Sequence, residues 1–227
     1  MNVLDEIESV KKRSKIIPQK TRVQKIELYS EGLKAKMKQA QFALDSIKSF
    51  AQQSDQATSS TANNDFSISE TIGFYCDSFW TFLYSSLDVL AQIINQALKL
   101  NLKEKEVSFK FVEKKLCQNH SNSKIQKRFT ACEKSNSFKN LDAYRNCSTH
   151  RRQIYIKEET KTVKHTAGYK TTTAVSVESI ERILCDNPLE LSPRTKQQRK
   201  IPDYMEDGKN KLFAHIAKIL KDTSPTK

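Results

Sequence analysis

The sequence predicts a mainly α-helical protein, and three observations carry that expectation. Only four Gly and five Pro occur in 227 residues, too few for the many tight turns of a sandwich or barrel. Two long stretches, Lys20 to Gln53 and Ser69 to Leu100, repeat apolar residues at three- and four-residue steps, the period of a helix with one buried face. Hydrophobic residues make up 37% and charged residues 29%, an ordinary globular balance in a chain long enough to bury a substantial core.

The first 19 residues read as an N-terminal extension holding a short separate helix. In the first long helix, Val23, Ile26, Leu33, Met37, Ala40, Leu44 and Ile47 form the stripe. Pro18 stands just upstream, where proline does not interrupt a helix. Gln52 to Ser67 is rich in Ser, Thr, Asn and Gln and reads as a flexible loop. It is expected inside one domain spanning 20–227, because the helix before it has an apolar stripe and no other partner to bury it against.

In the second long helix, Ile72, Phe79, Leu83, Leu87, Leu90, Ile94 and Ala97 form the stripe, and Trp80, Phe82, Val89 and Ile93 widen it. That width predicts a central helix contacted on several sides. Asp77, Thr81, Ser85, Asp88 and Gln92 make a narrow polar seam on the remaining face. Two readings stay open for it: a solvated seam, or a seam facing a functional cleft.

Helical patterning resumes over Val107 to Leu116 and Lys124 to Glu133. A further helix, Ser137 to Arg152, turns Phe138, Leu141 and Tyr144 inward. The period then changes. Gln153 to Lys157 and Tyr169 to Val177 are rich in β-branched and aromatic residues and read as a small β-hairpin over 153–177. Glu178 to Cys185 fits either a short helix or a further strand. A Pro-containing extended crossing follows from Asn187. A C-terminal helix, Asp203 to Lys221, turns Leu212, Phe213, Ile216, Ile219 and Leu220 inward.

Charge narrows the partners. The formal net charge is +13, which attracts polyanions, nucleic acid above all, without selecting a sequence. Lys outnumbers Arg, which suits diffuse phosphate attraction better than bidentate base reading. The N-terminus lacks the apolar run of a signal peptide. Polar residues Asp77, Asp88, Gln92, Asn95 and Gln96 interrupt the most apolar stretch, so no membrane span is expected. Five cysteines without a CxxC pair argue against a secreted disulfide framework and for a cytoplasmic protein.

Several chemistries fall away. The glycines are too dispersed for a phosphate-binding loop, and HExxH and GxSxG are absent, so no cofactor is expected. Asp77 and Asp88 lie eleven residues apart on one helix, roughly 16 Å, too far for an acid/base pair. Cys117 with His120 and Cys147 with His150 supply the ligand types of a structural zinc site. One pair lies in a polar loop and the other ends a helix, so no metal is assigned.

The strongest local feature is LDAYRNCSTHRRQI, Leu141 to Ile154, with Arg145, Asn146 and His150 in an Arg-x4-His arrangement. It resembles the motif of the HEPN superfamily of helical proteins. FYCDSFWTFLYSSLDVLAQI, from Phe74, also resembles the second helix of one bacterial branch. The order after the motif (strand pair, extended crossing, final helix) is similar too. The resemblance spans about Lys20 to Lys221 as a pattern of elements more than of identities. It implies a four-helix up-and-down bundle, usually a homodimer. Many members are metal-independent endoribonucleases acting as toxins or in defence against phage. Others are inactive modules that bind RNA or a partner protein such as a nucleotidyltransferase antitoxin.

The residues suit that chemistry on their own terms. RNA cleavage without metal needs a group that removes the 2′-OH proton and a cation that stabilises the phosphorane. His150 can exchange a proton near neutrality. Arg145 offers a planar charged fork for phosphate oxygens. The Asn146 amide can orient substrate or imidazole, while Arg151 and Arg152 add charge for RNA. Five helical residues place Arg145 and His150 about 140° apart, so convergence requires a distorted helix end or two motifs meeting across a dimer. Asp88 is a supporting candidate: an anion beside His150 would favour the protonated ring.

Overall fold

The computed structural model describes residues 2–53, 68–150, 156–166, 173–185 and 199–223, with side chains described for 2–50, 70–146 and 201–223. The chain is mainly helical. Helix α1 (Val3–Ser14) starts at Asn2, whose side chain accepts the Leu4 N–H at 3.1 Å. Asp5 and Glu6 in its first turn, and Lys11, Lys12 and Arg13 in its last, complement the helix dipole. It buries Val3, Ile7 and Val10 against α2 and α7, so the expected extension belongs to the same core.

Helix α2 (Lys20–Gln53) has the bounds its periodicity predicts. It packs along α3 (Ile68–Ala97), which also touches α4, α6 and α7, as the width of its apolar face requires. Three shorter helices follow: α4 (Phe109–Asn119), α5 (Lys124–Glu133) and α6 (Asn136–His150). Ser108 caps α4 by accepting from Phe111 N at 3.3 Å, and Ser123 caps α5 by accepting from Gln126 N at 3.2 Å. Phe109 joins them, stacking on Phe129 at 4.7 Å and leaning on Phe138 at 5.3 Å.

Helix α7 (Ile201–Asp222) admits Pro202 in its first turn, where the missing N–H has no helical partner to lose. Trp80 ties it to the centre. Its ring stacks on Tyr144 at 4.5 Å and 7°, and Tyr204 of α7 leans on both. Leu212, Ile216, Ile219 and Leu220 are buried as expected, while Phe213 is only half-buried. Arg13 closes the far end, donating to the carbonyls of Lys221 at 2.9 Å and Leu220 at 2.8 Å.

Buried residues come from all seven described α-helices, so an exact four-helix bundle is too sparse a description. The short helices α1, α4 and α5 each carry an apolar stripe that needs cover. After α6 the chain pairs β1 (Ile156–Thr166), β2 (Thr173–Cys185) and β3 (Arg199–Lys200) in an antiparallel sheet ordered β1-β2-β3. The register shifts at Glu159/Thr160 and at Lys161/Thr162. These strands do not have the expected bounds: charged residues after Lys157 masked the first, and Glu178 to Cys185 continues the second. Residues 54–67 of the expected loop and 187–198 of the expected crossing lie outside the described residues. Among the described residues no helix is long and apolar enough to cross a membrane.

Candidate functional site

The polar seam of α3 continues beyond Gln92 to Asn95, and the structure gives it a backbone to hold. After α3 the chain reverses through Lys99 and Asn101, both left-handed at φ 51° and 57°. It then returns beside the helix. Asn95 bonds both ways to Leu102, donating to its carbonyl at 3.0 Å and accepting from its N–H at 3.1 Å. Gln92 donates to the Glu104 carbonyl at 2.8 Å, and Asp88 Oδ1 accepts the Phe109 N–H at 3.0 Å. This half of the seam therefore faces backbone as well as solvent. It bonds backbone groups of the connection from α3 to α4, including the Phe109 N–H, which at the start of α4 has no acceptor within its own helix.

Asp88 thus sits at the N-terminus of α4, where free N–H groups and the helix dipole favour an anion. Burial nevertheless raises its carboxyl above the usual aspartate range, with the Phe109 N–H and the charge of Arg145 pulling the other way. Burial wins.

Helix α6 brings Asp142, Arg145 and Asn146 to the same place. Phe138, Leu141 and Tyr144 are buried, which leaves the neighbouring face at the edge of the core. The Arg145 guanidinium lies over the Tyr84 ring, 5.0 Å from its centroid. Its Nη1 donates to Asn146 Oδ1 at 3.1 Å. Asp142 pairs with Lys110 at 2.9 Å, and Lys110 in turn lies 5.8 Å from the Phe138 ring centre. Burial, and then the carboxylates of Asp88 and Asp142, push the Tyr84 hydroxyl up to about 12, with Arg145 acting in the opposite direction. Tyr84 is a protonated donor at neutral pH.

Of the residues expected at the site, Arg145, Asn146 and Asp88 come together. Helix α6 continues through His150 without interruption, so the two motif positions keep a helical separation of about 140°. The side chains of Cys147 and His150, and all of Arg151 and Arg152, lie outside the described residues. Cys117 donates to Glu113 at 3.2 Å and accepts from Gln126 at 3.4 Å, while His120 ends α4 with its N–H on the Leu116 carbonyl. Tyr84 and Asp142 were missed from sequence. Each stands one helical turn from a candidate, Tyr84 before Asp88 and Asp142 before Arg145. Tyr84 reads as core because it is aromatic.

The family model described as HEPN_Cthe2314-like HEPN matches residues 29–214. The chain belongs to that family. The match begins within α2, after α1, and takes in the rest of α2, all of α3 with Tyr84 and Asp88, and the whole motif. No curated protein and no solved structure matches the chain. HEPN membership thus rests on the family model.

Proposed function

We propose that this HEPN protein is a metal-independent endoribonuclease in which Arg145 holds the scissile phosphate and His150 transfers the proton. One observation supports the reading above others: Arg145 is oriented by groups on two helices, with the Tyr84 ring beneath it, the Asn146 amide at its Nη1 and the charge of Asp88 nearby. A cation fixed before substrate arrives stabilises developing phosphorane charge without reorganising. In the step itself the 2′-oxygen bonds to phosphorus as His150 takes its proton. The bond to the 5′-oxygen breaks, and that oxygen receives a proton as it leaves. A 2′,3′-cyclic phosphate and a 5′-hydroxyl result.

The continuous helix from Arg145 to His150 favours a site completed across a homodimer, Arg145 of one copy facing His150 of the other. Arg151 and Arg152 would then line the cleft for RNA. A role as toxin or phage-defence effector, held by an antitoxin partner, fits the same chemistry. A second reading has a specific observation behind it. Arg145 already has partners within its own chain, as it would in a non-catalytic module that binds RNA or a protein. The two readings separate on one substrate. An oligoribonucleotide with a single 2′-deoxy residue should resist scission at that position and be cut elsewhere. Equal scission at the deoxy position excludes attack by the 2′-OH.

A further inference from the structure

Along the seam between α2 and α3, aromatic side chains are left uncovered. Phe42 and Phe74 each remain 66% exposed. Both stand edge-on to Tyr75, at 6.4 and 5.5 Å between ring centres. With Ala43, Ser78 and Phe82 they line a groove of about 450 Å³. The core does not account for them, because Leu44, Ile47, Ile72 and Phe79 already fill the interface between these helices. In a chain of mean hydropathy −0.65, a contiguous aromatic patch marks a surface that something covers.

The rim indicates what that is. Lys38 lines the groove, Lys36 Nζ lies 5.1 Å from the Phe82 ring centre, and among the described residues no carboxylate lines it. A second copy on this face would set Lys36 and Lys38 near their own counterparts, like charge against like charge at the rim itself. A nucleic acid strand needs a file of cations along its phosphates, whereas this surface is walled by rings. Phe74, Ser78 and Phe82 recur every four residues, so the groove runs along the helices and matches the length of another helix. We propose that the α2–α3 seam docks an acidic amphipathic helix of a partner protein. Its apolar anchors, one helical turn apart, would enter between Phe42 and Phe74, and its carboxylates would meet Lys36 and Lys38.

The test uses the full chain and a labelled synthetic helical peptide carrying Leu and Phe on one face and Glu on the other, read by fluorescence anisotropy. A second peptide has Lys in place of every Glu. The expected result is saturable binding of the Glu peptide alone. That binding should weaken about tenfold in Phe74→Ser and in the double variant Lys36→Glu, Lys38→Glu. Equal affinity in both variants, or preference for the Lys peptide, overturns the proposal. So does a dimer that Phe74→Ser turns into a monomer, which makes a second copy the occupant. Displacement of the peptide by an RNA oligomer makes it a nucleic-acid surface instead. Binding that appears only after deletion of residues 54–67 makes that segment the cover. Comparing the two peptides on the unaltered chain keeps the charge claim testable even where a variant fails to fold.

Discussion

The guanidinium of Arg145 lies 5.0 Å from the ring centre of Tyr84, a residue 61 positions earlier on a different helix. The proposed phosphate clamp is thereby set by the packing of α6 on α3 and not by its own helix alone. Tyr84→Phe keeps the ring and loses only the hydroxyl beside Asp142, at a cost of about 1 kcal/mol or less. Tyr84→Leu also loses the cation–π contact, adding about 1 kcal/mol. Urea unfolding of the two variants should rank them in that order. Equal midpoints would mean that the ring does not hold the cation.

Asp88 carries two separable roles. As the acceptor of the Phe109 N–H, it should tolerate Asn, whose amide oxygen still accepts, better than Ala, which costs about 1 kcal/mol or more. Its folded pKa is raised, so its contribution is fully present below the ordinary aspartate value of about 4 and is lost as pH rises through the folded value. Asp88→Asn removes that slope from the pH–stability curve. The same carboxyl is proposed to face the His150 imidazole. If so, Asp88→Asn shifts the His150 titration, followed by NMR, to lower pH. An unshifted titration leaves Asp88 as a helix cap only.

His215 of α7 gives an independent pH signature. Burial, then the charges of Lys218 and Arg128, hold its imidazole below the ordinary value. A lowered folded pKa means that the unfolded chain binds the proton more tightly. Stability is therefore intact above about 6.5 and falls as pH drops from there through the folded value. Thermal unfolding between pH 7 and pH 5 should show this decline, and His215→Gln should flatten it. A variant as acid-sensitive as wild type would put the decline elsewhere in the molecule.

Much of the helical framework was legible because long amphipathic helices announce themselves. Lys20–Gln53 and Lys124–Glu133 emerge with the bounds their periodicity gives. The strands were read less well, since the paired run after Lys157 alternates charged residues with Thr and has no strong apolar face. At the site, Arg145 and His150 were legible as a spacing, but the partners of Arg145 were not. Tyr84 is contributed through tertiary packing, and no local pattern ties residue 84 to residue 145. The polar seam was visible from its period, yet its use as a partner for the backbone of residues 102–109 depends on the chain reversal at Lys99 and Asn101. Two left-handed non-glycine positions with Leu100 between them leave little trace in composition.

The central claim is that the Arg145–His150 motif cleaves RNA without metal. Its most direct measurement is scission of a structured RNA in EDTA by wild type, His150→Ala and Arg145→Lys, each purified identically. The account predicts cleavage by wild type, with loss of about 100-fold or more in His150→Ala, the scale of a missing general acid/base. Arg145→Lys should fall as well, because a lysine keeps the charge but not the planar fork. Cleavage retained in full by His150→Ala would contradict the account.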